Sequence, residues 1–487
     1  MTSQEQVIAD IAREVVARLR AQMQQQAASG AGAGKPATSS NAPAARDGVF
    51  ATVDEAANAA DAAAKKVGEL SLEDRGRMIA IVRRICIDRA DELGKMELEE
   101  TKVGRLDHKI QKLKNMQYVV GIEGMRSEAR TDTSGLCLIE HAPWGAIGMV
   151  LPVTHAVPTM AANAINILAA GNTAVFAPHP SGKRVTQYAL QLFNREIERE
   201  VGVANSLTTI LEPSIEAADQ IFQHPKIALL CVTGGPVVVK AAGKYGKRVI
   251  AAGPGNPPVV VDETADLAAA AKDIILGGAF DNNLLCIGEK EVFVVAPVFR
   301  EFMRAMHSAG GFELDKAAIE RLTKAAFTFE GDGKGCQRAH VRKELVGKDV
   351  KVLAAAAGVS VPDGTQILYG ETDEDHAFVV EEQMMPFIPI VRVKDVDAGI
   401  AGAVKAEHGY RHTAIMHSKN MDNVTRMAKA MNTTIFVNNA SSLASLGFGG
   451  PGYLSHSIAT PTGEGITTPM TFTRERQLTI GSALRII

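Results

Sequence analysis

The sequence predicts an α/β protein built on parallel sheets with helices packed on both faces. Two observations carry that prediction, and a third narrows it. From residue 48 onward, short apolar strands alternate with helix-like segments, the pattern of repeated strand–helix–strand units. Runs such as IALLCV (227–232) are apolar at every position, as strands covered on both faces must be. No period of 20–50 residues is visible, so a solenoid or propeller is not indicated.

Residues 3–23 (SQEQVIADIAREVVARLRAQM) have the spacing of a short amphipathic helix. Val7, Ile8, Ile11, Val15, Val16, Leu19 and Met23 fall on one side of a helical wheel. Ser3 with Gln6 fits a capping box, and Glu5 and Asp10 precede Arg13, Arg18 and Arg20, the order that the helix dipole favours. Residues 24–47 are rich in Ala, Gly, Ser and Pro without a period, which is linker composition. The GAGAGKPATSS stretch inside it is no phosphate loop, because its spacing fails and Pro36 follows the lysine.

Further on, AIGMVL (146–151) and TAVFAP (173–178) are predicted strands flanking a helix over AVPTMAANAINILAAG (156–171), closed by Gly171. A second helix is expected over 181–200, with further strands at TTIL (208–211), IALLCVT (227–233) and VVVD (259–262).

At 487 residues the chain is long enough for two or three domains. Its 46% hydrophobic and 22% charged residues are ordinary for a soluble globular protein. A net charge of −3 gives no footprint for nucleic acid, and no apolar run reaches the ~18 residues of a membrane span. Charged residues throughout the N-terminus exclude a secretory signal. The five cysteines (86, 137, 231, 286 and 336) form no Cys-x-x-Cys pair, so neither a disulfide framework nor a zinc site is indicated, and a reducing cytosol fits. The histidines, His412 included, lack metal-ligand spacing, and no metal is assigned.

One cysteine stands in a distinctive setting. Cys286 follows a polar Asp-Asn-Asn turn and two leucines, and leads into a β-branched strand in DNNLLCIGEKEVFVV (281–295). Alone, a free cysteine reads as a small buried hydrophobe. The segment, however, resembles the nucleophile region of the aldehyde dehydrogenase superfamily. Further segments match in order: HAPWGAIGMVLP (141–152) with Trp144, LAAGNTAVFAPHP (168–180), VTGGPVVVKAAGK (232–244), AAGPGNPP (251–258) and EEQMMPFIPI (381–390). HGYRHTAIMHS (408–418), TTIFVNNA (433–440), LGFGGPG (446–452) and IATPTGEGITT (458–468) complete a pattern like that of propionaldehyde and acetaldehyde dehydrogenases of bacterial microcompartments.

The resemblance implies the aldehyde dehydrogenase fold: a Rossmann-like cofactor domain, an α/β catalytic domain and a small β oligomerisation hairpin. The expected boundaries are 1–23 for a targeting helix and 24–47 for a linker. The NAD-binding domain is expected at 48–124 and 142–252, and the catalytic domain at 253–466. An oligomerisation arm is expected at 125–141 and 467–487.

It also implies roles. Cys286 is the nucleophile that takes the aldehyde as a thiohemiacetal. The oxyanion is met by the Cys286 backbone N–H and by His155, which stands where the family carries an asparagine. His155 reads equally well as a residue at a helix start. Glu382 is expected on the nicotinamide ribose, with Thr233, Gly234 and Gly235 on the nicotinamide side and Pro178 and His179 at the next strand's end. Gly253, Gly255 and Asn256 would line room for the cofactor and a pantetheine arm, although a structural turn also explains these glycines. No Gly-x-Gly-x-x-Gly opens a strand–helix unit, so NAD would rest on the Thr-Gly-Gly-Pro loop instead.

Hydrolytic members carry a base glutamate in a segment whose matching position here is Ala251. Water is barely ionised at neutral pH and needs such a base, whereas a thiol is a few per cent thiolate. A short aldehyde, propanal favoured, with NAD and coenzyme A would thus give an acyl-CoA. The alternatives are a hydrolytic aldehyde dehydrogenase releasing free acid, or an inactive scaffold protein of a microcompartment. The same resemblance implies a cytoplasmic homo-oligomer, dimer or tetramer, in a microcompartment lumen. Residues 1–23 would dock on shell proteins, because so short an apolar-striped helix needs a partner to be stable.

Overall fold

The apolar runs collect into two parallel sheets in a computed structural model that describes residues 47–331 and 337–486. The helix expected at 3–23 and the linker, save Asp47, lie outside the described residues. The first sheet has six strands, in spatial order Val49–Phe50, Leu207–Ile210, Thr173–Ala177, Ala146–Val150, Ile227–Thr233 and Arg248–Ala252, every pair parallel. The chain steps outward from Ala146–Val150, then returns to its other side at Ile227–Thr233. Such a reversal opens a crevice at the carboxyl ends of the strands, the usual ligand position of open α/β sheets.

The second sheet has seven parallel strands: Phe312–Glu313, Leu368–Thr372, Phe387–Val393, Glu291–Val295, Pro258–Val261, Thr413–His417 and Ile435–Asn438. Ile147 and Met149 of the first sheet and Val259, Val292 and Val294 of the second belong to one apolar cluster. The helix Ala156–Ala169 is buried at every position, as a helix apolar on all sides must be. It stops where Gly171 takes a φ of +82°, a left-handed conformation that glycine adopts without steric cost.

A third sheet is antiparallel. Gly135–Pro143 lies between Glu128–Asp132 and Thr473–Gly481, the latter pairing with it from Thr473↔Pro143 to Gly481↔Gly135. All five residues of Glu128–Asp132 are exposed. Both outer strands present unpaired edges. No helix among the described residues is long and apolar enough to cross a membrane.

Candidate active site

The loop that carries Cys286 is set by three successive left-handed residues. Asp281, Asn282 and Asn283 have φ of +52°, +58° and +63°, a region that Asp and Asn visit more readily than other side-chain-bearing residues. Each is tied down separately. The Asp281 carboxylate accepts from the Arg105 N–H at 2.8 Å and from the Lys112 ammonium at 2.5 Å. The amides of Asn282 and Asn283 donate to the carbonyls of Gly347 at 3.0 Å and Glu289 at 2.9 Å. From inside the loop, Lys290 donates to the Asn283 carbonyl at 2.8 Å, the Leu285 carbonyl at 2.9 Å and the Asn283 side-chain oxygen.

Cys286 is half-buried at the end of this turn. Burial, with the neighbouring Glu382 charge, pushes its thiol up to about 12, against the pull of Lys290 and of the backbone N–H groups of Cys286 and Ile287. The resting group is therefore a thiol, and the Lys290 charge and the nearby backbone N–H groups act to favour its thiolate. Cys86 and Cys231 are fully buried, and burial pushes both thiols far up. They behave as inert apolar side chains.

His155 is buried at the start of the helix Ala156–Ala169, with no capping bond from its side chain. The Lys112 ammonium lies 2.9 Å from its Nδ1. An ammonium has only donors, so Nδ1 must accept and the ring proton sits on Nε2. The Leu284 backbone, two residues before the thiol, acts on the ring in the opposite sense to its burial. Burial, then the Lys112, His456 and Lys109 charges, hold the ring well below the ordinary histidine range. His155 is thus a neutral donor beside the nucleophile loop. Behind it, Lys109 and Glu97 form a second buried pair at 2.9 Å, and the other Glu97 oxygen accepts from the Val157 N–H at 3.1 Å.

Across the loop runs the Gly253–Asn256 turn. A side chain at Gly255 would stand 2.6 Å from the Cys286 carbonyl and 2.8 Å from the His412 ring, so only glycine fits. Glu382 is half-buried; burial pushes its carboxyl up to about 7 against Lys290 and a bond from the Gly255 backbone. Ala251 is buried in its strand, its N–H donating to Thr462 Oγ1 at 2.9 Å, and it offers no base. Asn256 departs from its expected place along the open site. It is fully buried, and its amide bridges the carbonyls of Val379 and Ala406, both at 2.9 Å, so its side chain is a strut.

The expected cofactor-side residues sit at the carboxyl ends of strands of the first sheet. Thr233 ends one strand and bonds Ser457 Oγ at 2.8 Å. Gly235 is exposed and would leave a side chain in open space, giving bare backbone beside the crevice. Gly234 donates to the Ala252 carbonyl at 3.1 Å, next to the half-buried Gly253. Pro178 is buried after Thr173–Ala177, and the exposed His179 accepts from the Ser181 N–H at 3.1 Å. Open backbone at a strand-order reversal, with Glu382 beside the thiol, fits a dinucleotide.

Sequence reasoning missed Lys112, Asp281 and Lys290, and it tested His412 only as a metal ligand. His412 is buried against Gly255, with Nδ1 2.9 Å from Thr413 Oγ1 and Nε2 without a partner among the described residues. Burial and the Lys290 charge push it down to about 4. Its contact with an obligatory glycine beside the nucleophile was the signal, and that contact is invisible in one dimension.

The family model "Aldehyde dehydrogenase family" matches residues 24–311, and the chain belongs to that family. Among curated relatives it is 44% identical to the acetylating acetaldehyde dehydrogenase EutE of Salmonella typhimurium, over 90% of this chain and 94% of that protein. The propionaldehyde dehydrogenase of the Clostridium phytofermentans fucose utilisation microcompartment matches with a TM-score of 0.87 and 39% identity, covering 91% of this chain and 100% of that one. The Rhodopseudomonas palustris propionaldehyde dehydrogenase, solved with bound CoA and an acylated cysteine, gives the same TM-score of 0.87, identity of 39% and coverage of 91% and 100%.

Proposed function

We propose that this chain is a CoA-acylating aldehyde dehydrogenase, converting a short aldehyde, NAD and coenzyme A to acyl-CoA and NADH. The observation that carries the reading is a positioned thiol at Cys286 with alanine at 251, where hydrolytic relatives hold their base. Its relatives act on acetaldehyde or propionaldehyde by name, and propanal is the substrate we favour.

Cys286 gives its thiol proton to solvent and attacks the carbonyl, so that a C–S bond forms as the C=O π pair moves onto the oxygen, which its backbone N–H and neutral His155 would face. Glu382 and the Thr233–Gly235 loop hold the cofactor, with Pro178, His179 and Gly253 bordering it. Bound NAD supplies the hydride acceptor that turns the thiohemiacetal into a thioester. With no base placed for water, the thioester persists until the thiol of coenzyme A takes the acyl group and Cys286 regains its proton.

Steady NADH formation from propanal should occur only with CoA, with at most one turnover without it. Equal steady rates under both conditions would overturn the reading, and would point to Glu382 as a base for water.

We also propose that the antiparallel arm joins subunits through its open edges, and that residues 1–23 dock on the shell of a bacterial microcompartment. The apolar stripe of that segment and a relative from a microcompartment support this. Diffuse fluorescence from a fluorescent protein carrying residues 1–23, in cells with the matching shell, would refute the docking.

A further inference from the structure

We propose that Lys290 is a positioning residue, a buried ammonium that braces the nucleophile loop and is the counter-charge on which Cys286 ionises. This rests on the assignment of Cys286 as nucleophile. Lys290 is fully buried, and its Nζ meets three oxygens: the Asn283 carbonyl at 2.8 Å, the Leu285 carbonyl at 2.9 Å and the Asn283 side-chain oxygen. Three acceptors on one nitrogen require three N–H bonds, which an ammonium has and a neutral amine lacks. All three oxygens are neutral. A buried cation without a carboxylate in contact is costly, and three neutral acceptors offset only part of that cost.

Four ionisable groups surround it, and Cys286 is the one that must ionise to react. Glu382, Cys286, Glu291 and Glu289 are the charges that act on Lys290. Glu291 is buried, neither of its carboxyl oxygens has a hydrogen-bond partner among the described residues, and burial pushes it well above the usual carboxylate range. Glu289 spends its carboxyl on Ser442, accepting from the backbone N–H and the hydroxyl, both at 2.8 Å. Glu382 is the first of the charges that act on Lys290, and burial pushes its carboxyl up to about 7 against that ammonium. His412 is held neutral. The Cys286 sulfur is attached one residue beyond the Leu285 carbonyl that Lys290 grips. An ammonium there favours the thiolate and disfavours any neighbouring cation, which matches the direction of its influence on both Cys286 and His412.

The test is alkylation of Cys286 by iodoacetamide across a pH series, in the full-length chain, with the modified residue identified by mass spectrometry. The thiolate sulfur displaces iodide, forming one C–S bond as one C–I bond breaks, and the thiol proton goes to buffer. Lys290→Met removes charge and bonds, Lys290→Gln keeps an amide donor without charge, and Lys290→Arg keeps the charge. Both uncharged variants should react at least about tenfold more slowly near neutral pH, with the profile displaced upward by about one pH unit. Lys290→Arg, which keeps the charge, should react faster than either uncharged variant near neutral pH. Superimposable profiles for Lys290→Gln and wild type would overturn the proposal. So would failure of both uncharged variants to fold, which would assign the ammonium to folding alone. If wild-type alkylation at Cys286 left NADH formation intact, the nucleophile assignment itself would fall, an outcome separate from the profile comparison.

Discussion

Lys112 and Lys290 both grip the segment from Asp281 to Cys286, but Lys112 meets a carboxylate and Lys290 meets three neutral oxygens. On the first side the charge is cancelled where it stands. Lys112 closes a pair with Asp281 and spends another N–H on His155, so its yield is geometry: a fixed turn and a fixed histidine tautomer. On the second side the charge is left over, available to an anion that exists only during the reaction. The difference teaches that burial alone does not say what a lysine is for; its partners do. Coulomb attraction in a poorly hydrated site is strong enough that one uncancelled ammonium matters to a thiol.

The largest effect should come from removing the anion on the second side. Cys286→Ala should lower steady NADH formation by several orders of magnitude while leaving cofactor binding unchanged, as read by fluorescence titration. Alanine at Cys86 or Cys231, both buried away from solvent, should cost stability and little specific activity. A Cys286→Ala enzyme retaining more than a few per cent of wild-type rate would sink the assignment.

A second substitution converts the first lysine into the kind represented by the second. Asp281→Asn keeps the shape of the turn and strips Lys112 of its counter-ion. Breaking one partner of a buried pair costs about 3–5 kcal/mol, which urea unfolding near neutral pH would register. Burial works to raise the Asp281 carboxyl, yet Lys112 and Lys109 outweigh it and hold the group below the usual range. A depressed carboxylate stabilises the fold above its unfolded value of about 4 and loses that contribution as pH falls through its folded value. The deficit of Asp281→Asn should therefore shrink in acid. A deficit that persisted unchanged to about pH 2 would mean that charge pairing was not its source.

These two lysines also mark where the sequence stopped being legible. The strand runs at 146–151, 173–178 and 227–233 were readable because burial on both faces demands continuous apolarity, and the strands form within a residue of those limits. Cys286 was readable because its flanking turn and strand lie next to it in the chain. The partner of Asp281 lies 169 residues away in sequence, and no local pattern separates Lys112 from the other charged residues of Leu106–Lys114. Asn256 shows the complementary failure. Its motif was recognised, but whether an asparagine faces a ligand or bridges two carbonyls is decided by where Val379 and Ala406 come to lie.

The smallest effect concerns the residue beside Lys290. Glu289 is fully buried, and burial pushes its carboxyl up to about 7, against the bonds from Ser442 and Ser441. An unfolded glutamate titrates near 4.3, so between about pH 4.5 and 7 the folded chain holds a proton that the unfolded chain has released. Stability must then fall as pH rises through that window, because the native state binds more protons there. Glu289→Gln keeps an oxygen for Ser442 and removes the titration. Wild type should lose roughly 1–3 kcal/mol to this group between about pH 5 and pH 7.5, and the variant should lack that share of the slope. Urea midpoints for both proteins at the two pH values make the comparison. Parallel slopes would mean that Glu289 stays ionised in the fold, and Lys290 would then have a permanent counter-ion after all. The contrast between the two lysines would lose its basis, which makes this modest measurement a direct check on the larger claim.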